Sequence, residues 1–172
     1  AHRRLSIIDI AGGHQPMMNQ EQTVVVVFNG EIYNFQEITD ELKAKGYQFQ
    51  HHGDTETIIH AWSEWGRECV HRFRGMFAFA LWDKKTQQLF IARDRLGIKP
   101  LYFSLLPNGD FIFGSELKVL RQHPALYHQL DPEAVEDFLA LGYVPDPKTI
   151  IKNVHKLEAG HHLTLSIGLK SI

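Results

Sequence analysis

Only one cysteine, Cys69, occurs in 172 residues. No internal disulfide can crosslink the chain, and the fold must be held by packing. A chain of this length with 44% hydrophobic residues can bury a sizeable core, so one domain of ordinary size is expected. No apolar run reaches the length of a membrane span, and Ala1-His2-Arg3-Arg4 lacks the apolar centre of a signal peptide. These absences, with a lone cysteine suited to a reducing compartment, predict a soluble cytoplasmic protein without a membrane partner. A basic surplus is missing too. Lys and Arg number 18 against 20 Asp and Glu, for a net charge of −2, and they are scattered rather than massed, which argues against a nucleic-acid partner.

Several chemical signatures are also missing. Eleven histidines invite a metal reading, but there is no His-Glu-x-x-His and no Cys-x-x-Cys. The doublets His51-His52 and His161-His162 would turn to opposite faces if they lie in strands. Surface histidines and no metal site are expected. No Gly-rich phosphate loop of standard spacing appears, so no ATP site is expected in these residues. No Gly-x-Ser-x-Gly elbow is present. Cys69, within Arg67-Glu68-Cys69-Val70-His71-Arg72, has basic neighbours that could lower a thiol pKa, yet it reads better as a small core residue in a short helix.

What the chain does have is centred on Val24-Val25-Val26-Val27-Phe28 followed by Asn29-Gly30-Glu31-Ile32-Tyr33-Asn34. The short β-branched and aromatic run predicts a strand in mid-sheet, buried on both faces. It would carry Asn29-Gly30-Glu31 to the end of the sheet. There Gly30 permits close approach to the backbone and Asn29 offers a side-chain amide donor.

On either side, residues 4–10 and 163–167 read as strands, and the abrupt ends predict an excerpt of a longer protein. Asn34 fits a helix N-cap with Glu37 closing a capping box, and that helix stops near Gly46. Tyr47 to His51 is a short strand candidate. Asp54 is placed to cap a helix over 55–65 that ends at Gly66. Gly75 to Asp83 and Leu89 to Arg93 read as paired strands. Leu101 to Leu106 and Asp110 to Gly114 form a hairpin around Asn108-Gly109. Asp131-Pro132-Glu133 opens a last helix closed by Gly142, and Pro145 and Pro147 mark a connector. Strands in hairpin order with interspersed helices predict an α+β fold with antiparallel sheets.

Set in this order, His2-Arg3-Arg4-Leu5-Ser6-Ile7-Ile8-Asp9, Gln15-Pro16-Met17, Phe28-Asn29-Gly30-Glu31-Ile32-Tyr33-Asn34, Gly53-Asp54-Thr55-Glu56, Gly75-Met76-Phe77-Ala78-Phe79-Ala80, Arg93-Asp94-Arg95-Leu96-Gly97-Ile98-Lys99-Pro100-Leu101-Tyr102 and Gly114-Ser115-Glu116-Leu117-Lys118 closely resemble the glutaminase domain of glutamine-hydrolysing asparagine synthetases, a branch of the class II glutamine amidotransferases. The resemblance implies a four-layer αββα N-terminal-nucleophile hydrolase fold, two stacked antiparallel sheets flanked by helices. It implies a domain over 1–142, truncated at its start, and over 143–172 its end and a connector toward an ATP-dependent synthetase domain. It also implies glutamine as substrate, hydrolysed to glutamate and ammonia through a glutamyl thioester on an N-terminal cysteine whose own α-amine is the base. Ammonia would pass to the synthetase domain of the same polypeptide, where ATP and Mg²⁺ serve the amidation of aspartate; a homodimer is the expected assembly.

Carried onto matching positions, Asn29 (side-chain amide) and Gly30 (backbone N–H) would form the oxyanion hole. Arg4 would pair with the substrate α-carboxylate, and Asp54 would hold its α-ammonium. Glu31 and the backbone of Leu5, Ser6, Ile7 and Ile8 would line the pocket, with Asp94 and Arg95 as a structural ion pair. Residue 1 is alanine, so the implied cysteine has no counterpart and these residues alone are expected to be inactive. The alternatives are another class II amidotransferase, serving sugar-phosphate amination or purine synthesis, and a non-catalytic glutaminase-like binding module.

Overall fold

A computed structural model describes residues 14–166. The predicted first strand, and with it Arg4, Leu5, Ser6, Ile7 and Ile8, lies outside the described residues. The valine run does form a strand, and a longer one than predicted: β2 covers Val24–Ile32. It lies second in a five-stranded antiparallel sheet of order β1-β2-β3-β4-β8, formed with β1 (Met17–Met18), β3 (Gly75–Asp83), β4 (Gln88–Arg93) and β8 (His162–Ser166). β2 and β3 stay in unbroken register from Val24↔Asp83 to Ile32↔Gly75. Asn29-Gly30-Glu31 therefore belongs to the ladder itself and is not a turn beyond its end. A second antiparallel sheet of order β6-β5-β7 contains β5 (Tyr102–Leu105), β6 (Phe111–Gly114) and β7 (His155–Lys156).

Three hydrophobic layers hold this arrangement together. On one face of the first sheet, Val24, Val26, Phe28 and Ile32 pack with Phe77, Phe79, Leu81 and Phe90 against α1 (Phe35–Ala44) and α2 (Asp54–Trp65). Between the sheets, Ala78, Ala80 and Ile91, with the half-buried Val27 and Leu89, meet Phe103, Phe111 and Phe113. Small alanines on one side and phenylalanines on the other let two pleated faces interlock without a void. Beyond the second sheet, Tyr102 and Ile112 pack with Leu117 and Leu120 of the short α3 (Leu117–Leu120), and with Leu126, Ile151 and Val154. Each fully buried large apolar side chain in these layers contributes about 1.5–3 kcal/mol relative to exposure. The observed order is helices, sheet, sheet, helix. β2 is buried closely on its helix face and only half-buried toward the second sheet, because the helix layer covers it more fully than the short strands of the second sheet do.

The last helix, α4 (Pro132–Leu141), forms as expected: Asp131 accepts the Glu133 N–H, Pro132 opens the first turn and Gly142 closes the helix at φ +78°. Residues past 143 are part of the layers, since β7 pairs with β5 and β8 with β4. Two local expectations fail. Asn34 does precede α1, but its side chain leaves the helix, donating to Arg72 O and accepting from Arg74 N, while Glu37 pairs with Arg74. Residues 47–51 are not a strand; the Glu56 carboxylate takes the Gln50 and His51 N–H groups that a ladder would need.

Candidate functional site

Hydrogen-bond parity along β2 decides what Gly30 can do. Tyr33 donates to Arg74 O and Lys84 donates to Thr23 O, so odd-numbered residues of this stretch bond to β3. In a continuous antiparallel ladder the even-numbered N–H groups then point to the opposite edge. Phe28 and Ile32 do so: Phe28 donates to Gln15 Oε1 at 2.6 Å and Ile32 to Asp54 Oδ2 at 3.1 Å. Gly30, midway between them, aims its N–H at the same edge.

Glycine is required at that position. Its φ is +148°, and a Cβ there would stand 2.6 Å from Phe77 Cα and harder still against Met76 O. Gly75 on β3 is closed in the same way by Glu31 O and by Ile32 Cα at 3.0 Å. At Gly30 and at Gly75 the neighbouring strand's backbone thus fills the space that a Cβ would need.

Asn29 is half-buried and donates through Nδ2 to Ser115 Oγ at 3.2 Å. Val27, two residues earlier, packs between the sheets, and the alternation of side chains turns Asn29 the same way, toward the second sheet. Glu31 follows in the strand, half-buried and opposite Met76. Asp54 is wholly buried as the first residue of α2, with Gly53 in extended conformation as N-cap. Its carboxylate is therefore not the cap the sequence suggested; it reaches sideways to the β2 edge, at a helix N-terminus whose partial positive charge favours an anion. Asn29, Gly30, Glu31 and Asp54 are thus brought to one end of one strand, while Arg4 and Leu5 to Ile8 lie outside the described residues.

Surrounding residues hold this end in shape. Glu56, in the first turn of α2, accepts from Gln50 and His51 and faces His60 at 3.5 Å. Burial resists ionisation of the Glu56 carboxyl, but His60 and the two backbone donors outweigh it and keep its pKa below the usual range. Asp94 is buried and accepts the N–H groups of Phe77, Leu96, Ile98 and Lys99. Arg95 donates to the carbonyls of Phe73 and His71. Both are structural as expected, but each works on backbone groups and not as an ion pair with its neighbour. In this region Asp146 pairs with Arg93 at 2.8 Å and with Lys156 at 3.0 Å, and no local pattern points to the first of these contacts across fifty residues.

Cys69 lies in the 3₁₀ turn Gly66–His71, fully buried, and burial pushes its thiol up to about 12. Its basic neighbours do not produce a thiolate. Among the described residues, no group of three or more His, Cys, Asp or Glu could hold a metal ion, and no helix is long and apolar enough to cross a membrane.

A sequence profile of the glutamine amidotransferase domain matches residues 1–171. The chain belongs to the glutamine amidotransferase domain family. Among its curated relatives, asparagine synthetase [glutamine-hydrolyzing] 3 of Bacillus subtilis strain 168 is 40% identical over 168 residues, covering 96% of this chain and 27% of that protein. A putative asparagine synthetase [glutamine-hydrolyzing] of Mycobacterium tuberculosis H37Rv is 44% identical over 165 residues, covering 91% of this chain and 25% of that protein. The chain thus spans about a quarter of the length of these relatives. The solved glutamine phosphoribosylpyrophosphate amidotransferase of B. subtilis, complexed with ADP and GMP, superposes with a TM-score of 0.53 at 20% identity, over 62% of this chain and 25% of that one. That likeness concerns the fold alone, and the fold is the stacked two-sheet arrangement of the N-terminal-nucleophile hydrolases.

Two residues near the site had no assigned role in the sequence. Gln15 supplies the acceptor for Phe28 N–H, and Ser115 the acceptor for Asn29. Both stand in blocks that carry the resemblance, Gln15-Pro16-Met17 and Gly114-Ser115-Glu116, and that recurrence is the signal that could have singled them out.

Proposed function

We propose that this glutamine amidotransferase domain binds glutamine and hydrolyses its carboxamide to glutamate and ammonia, and that the ammonia serves ATP-dependent conversion of aspartate to asparagine in the complete protein. The reading rests on one observation above the others: Gly30 N–H and the Asp54 carboxylate anchored at Ile32 N–H face the same edge of β2, two residues apart. Two strand residues span about 7 Å, which leaves room for an extended amino acid the size of glutamine between the two groups. Asp54 holds the ammonium, and the carboxamide oxygen then meets the Gly30 N–H and the Asn29 amide. As the carbonyl becomes tetrahedral its oxygen takes up negative charge, and these prearranged donors stabilise that charge more than the starting amide. Glu31 lines the pocket, and Arg4 pairs with the α-carboxylate.

Cys69 is no candidate for the nucleophile, being a buried thiol pushed up to about 12. The role falls to an N-terminal cysteine outside these 172 residues, with its α-amine as base. ATP and Mg²⁺ would activate aspartate in a synthetase domain of the same polypeptide. A free buried thiol suits a cytoplasmic setting. Asparagine synthesis is preferred over sugar-phosphate amination or purine synthesis because the 40–44% identical relatives carry that name.

The test is Asn29→Asp in the full-length protein. Losing one oxyanion donor typically lowers kcat about 10²–10³-fold, so glutamine-dependent synthesis should collapse while ammonia-dependent synthesis persists. Equal loss of both activities would overturn the role of Asn29.

A further inference from the structure

We propose that Ser115 is a positioning residue for glutamine hydrolysis: its hydroxyl anchors one N–H of the Asn29 carboxamide, so that the other is aimed at the developing oxyanion. The inference rests on the reading of Asn29 as an oxyanion donor and extends it to a residue on the opposite sheet. Asn29 Nδ2 donates to Ser115 Oγ at 3.2 Å, a contact between residues 86 apart in sequence. Ser115 directly follows Gly114, the last residue of β6, which is in register with Tyr102 of β5. On its other side begins α3, whose Leu120 is buried in the outer hydrophobic layer. A Cβ on Gly114 would come within 3.1 Å of Leu120 Cδ1, so the turn from β6 into α3 is tightly seated. The hydroxyl is thus fixed by the second sheet, and through it the first sheet's donor.

The chemical need for such an anchor follows from the side chain. The terminal torsion of asparagine is soft, with no sharp staggered wells. A carboxamide that must rotate into place loses the advantage of a prearranged donor. Its two N–H bonds share one plane, so fixing the direction of one fixes the other. A neutral hydroxyl does this without adding charge, and a serine on a strand-to-helix turn holds its place better than one on a mobile loop.

The experiment measures kcat and KM for glutamine hydrolysis in the full-length protein, for Ser115→Ala, Ser115→Thr, Asn29→Ala and the double variant Asn29→Ala with Ser115→Ala. Losing one net hydrogen bond converts to about three- to ten-fold in kcat. Ser115→Ala should show that loss with KM within about two-fold of the parent, and Ser115→Thr, which keeps the hydroxyl, should recover most of it. In the Asn29→Ala background, Ser115→Ala should cost nothing further, because its partner is gone. An unchanged kcat in Ser115→Ala, a change confined to KM, or an equal further loss in the double variant overturns the proposal while leaving the proposed function standing. If Asn29→Ala itself hydrolyses glutamine at the parental rate, the oxyanion reading falls and this inference with it.

Discussion

Replacing Gly30 by alanine should strike both the sheet and the site. The added Cβ would stand 2.6 Å from Phe77 Cα and closer to Met76 O. Both are backbone atoms of β3, locked in register with β2 from one end to the other, so no side chain can swing away to make room. Overpacking of this kind costs about 1–3 kcal/mol. Holding an alanine at a φ of +148°, in a region open essentially to glycine only, costs about 1–3 kcal/mol more. The sum, near 4 kcal/mol, is a large share of the stability of an ordinary domain. For a chain of this length, it lowers Tm by about 8–16 °C at roughly 2–4 °C per kcal/mol. Thermal unfolding followed by circular dichroism reads the change directly. Gly46→Ala is the matched control, since Gly46 also has a positive φ, +97°, but nothing within 4 Å of its added Cβ; it should lose no more than the backbone share. If Gly30→Ala melts within about 2 °C of the parent, or if Gly46→Ala loses more than Gly30→Ala, the close approach of β2 and β3 has been misjudged.

Two other measurements follow from the chain's titratable groups. Cys69, buried with its thiol pushed up to about 12, should resist iodoacetamide at pH 7–8 in the native protein and react fully in denaturant, since the thiolate is the nucleophile; rapid native alkylation would contradict its burial. For Asp146, burial opposes ionisation, but hydrogen bonds from Lys156 and Arg93 outweigh it and the carboxyl pKa lies below its ordinary value of 3.8. The stabilisation is then fully present above the unfolded pKa and fades as pH falls through the lower folded value. Asp146→Asn should therefore lower stability at pH 7 and show a shallower loss than the parent on acidification below about pH 4. Parallel pH profiles for the two proteins would refute that sign.

Much of the architecture was legible because local patterns and tertiary demands agree. The valine run, the Asn108-Gly109 hairpin and the Asp131-Pro132 helix start are all short-range signals, and each forms the element that the pattern predicts. The expectations that failed have one cause. The local pattern assigns Asn34 and Asp54 to helix starts and 47–51 to a strand, yet the polar groups of the first two serve partners across the fold, and the backbone donors of the third go to a side chain just beyond the segment. Arg74 N takes the Asn34 side chain, Ile32 N takes Asp54, and Glu56 takes the backbone of 50 and 51. A side-chain oxygen near a helix start can serve the helix or something across the fold, and only packing decides which.

The same division holds for the site. The valine run alone was enough to place a buried strand leading into Asn29 and Gly30; that both residues belong to the ladder is a finding of the structure. The amino-acid sequence by itself also determined, through the ordered blocks of the resemblance, the family to which they belong. The tertiary structure decided the direction of their donors. Ladder parity turns the Gly30 N–H to the edge occupied by Asp54, and the stacking of a second sheet sets Ser115 against Asn29. Strand periodicity is a property of neighbouring residues, so a sequence can carry it; the approach of residues 29 and 115 exists only after the three hydrophobic layers close.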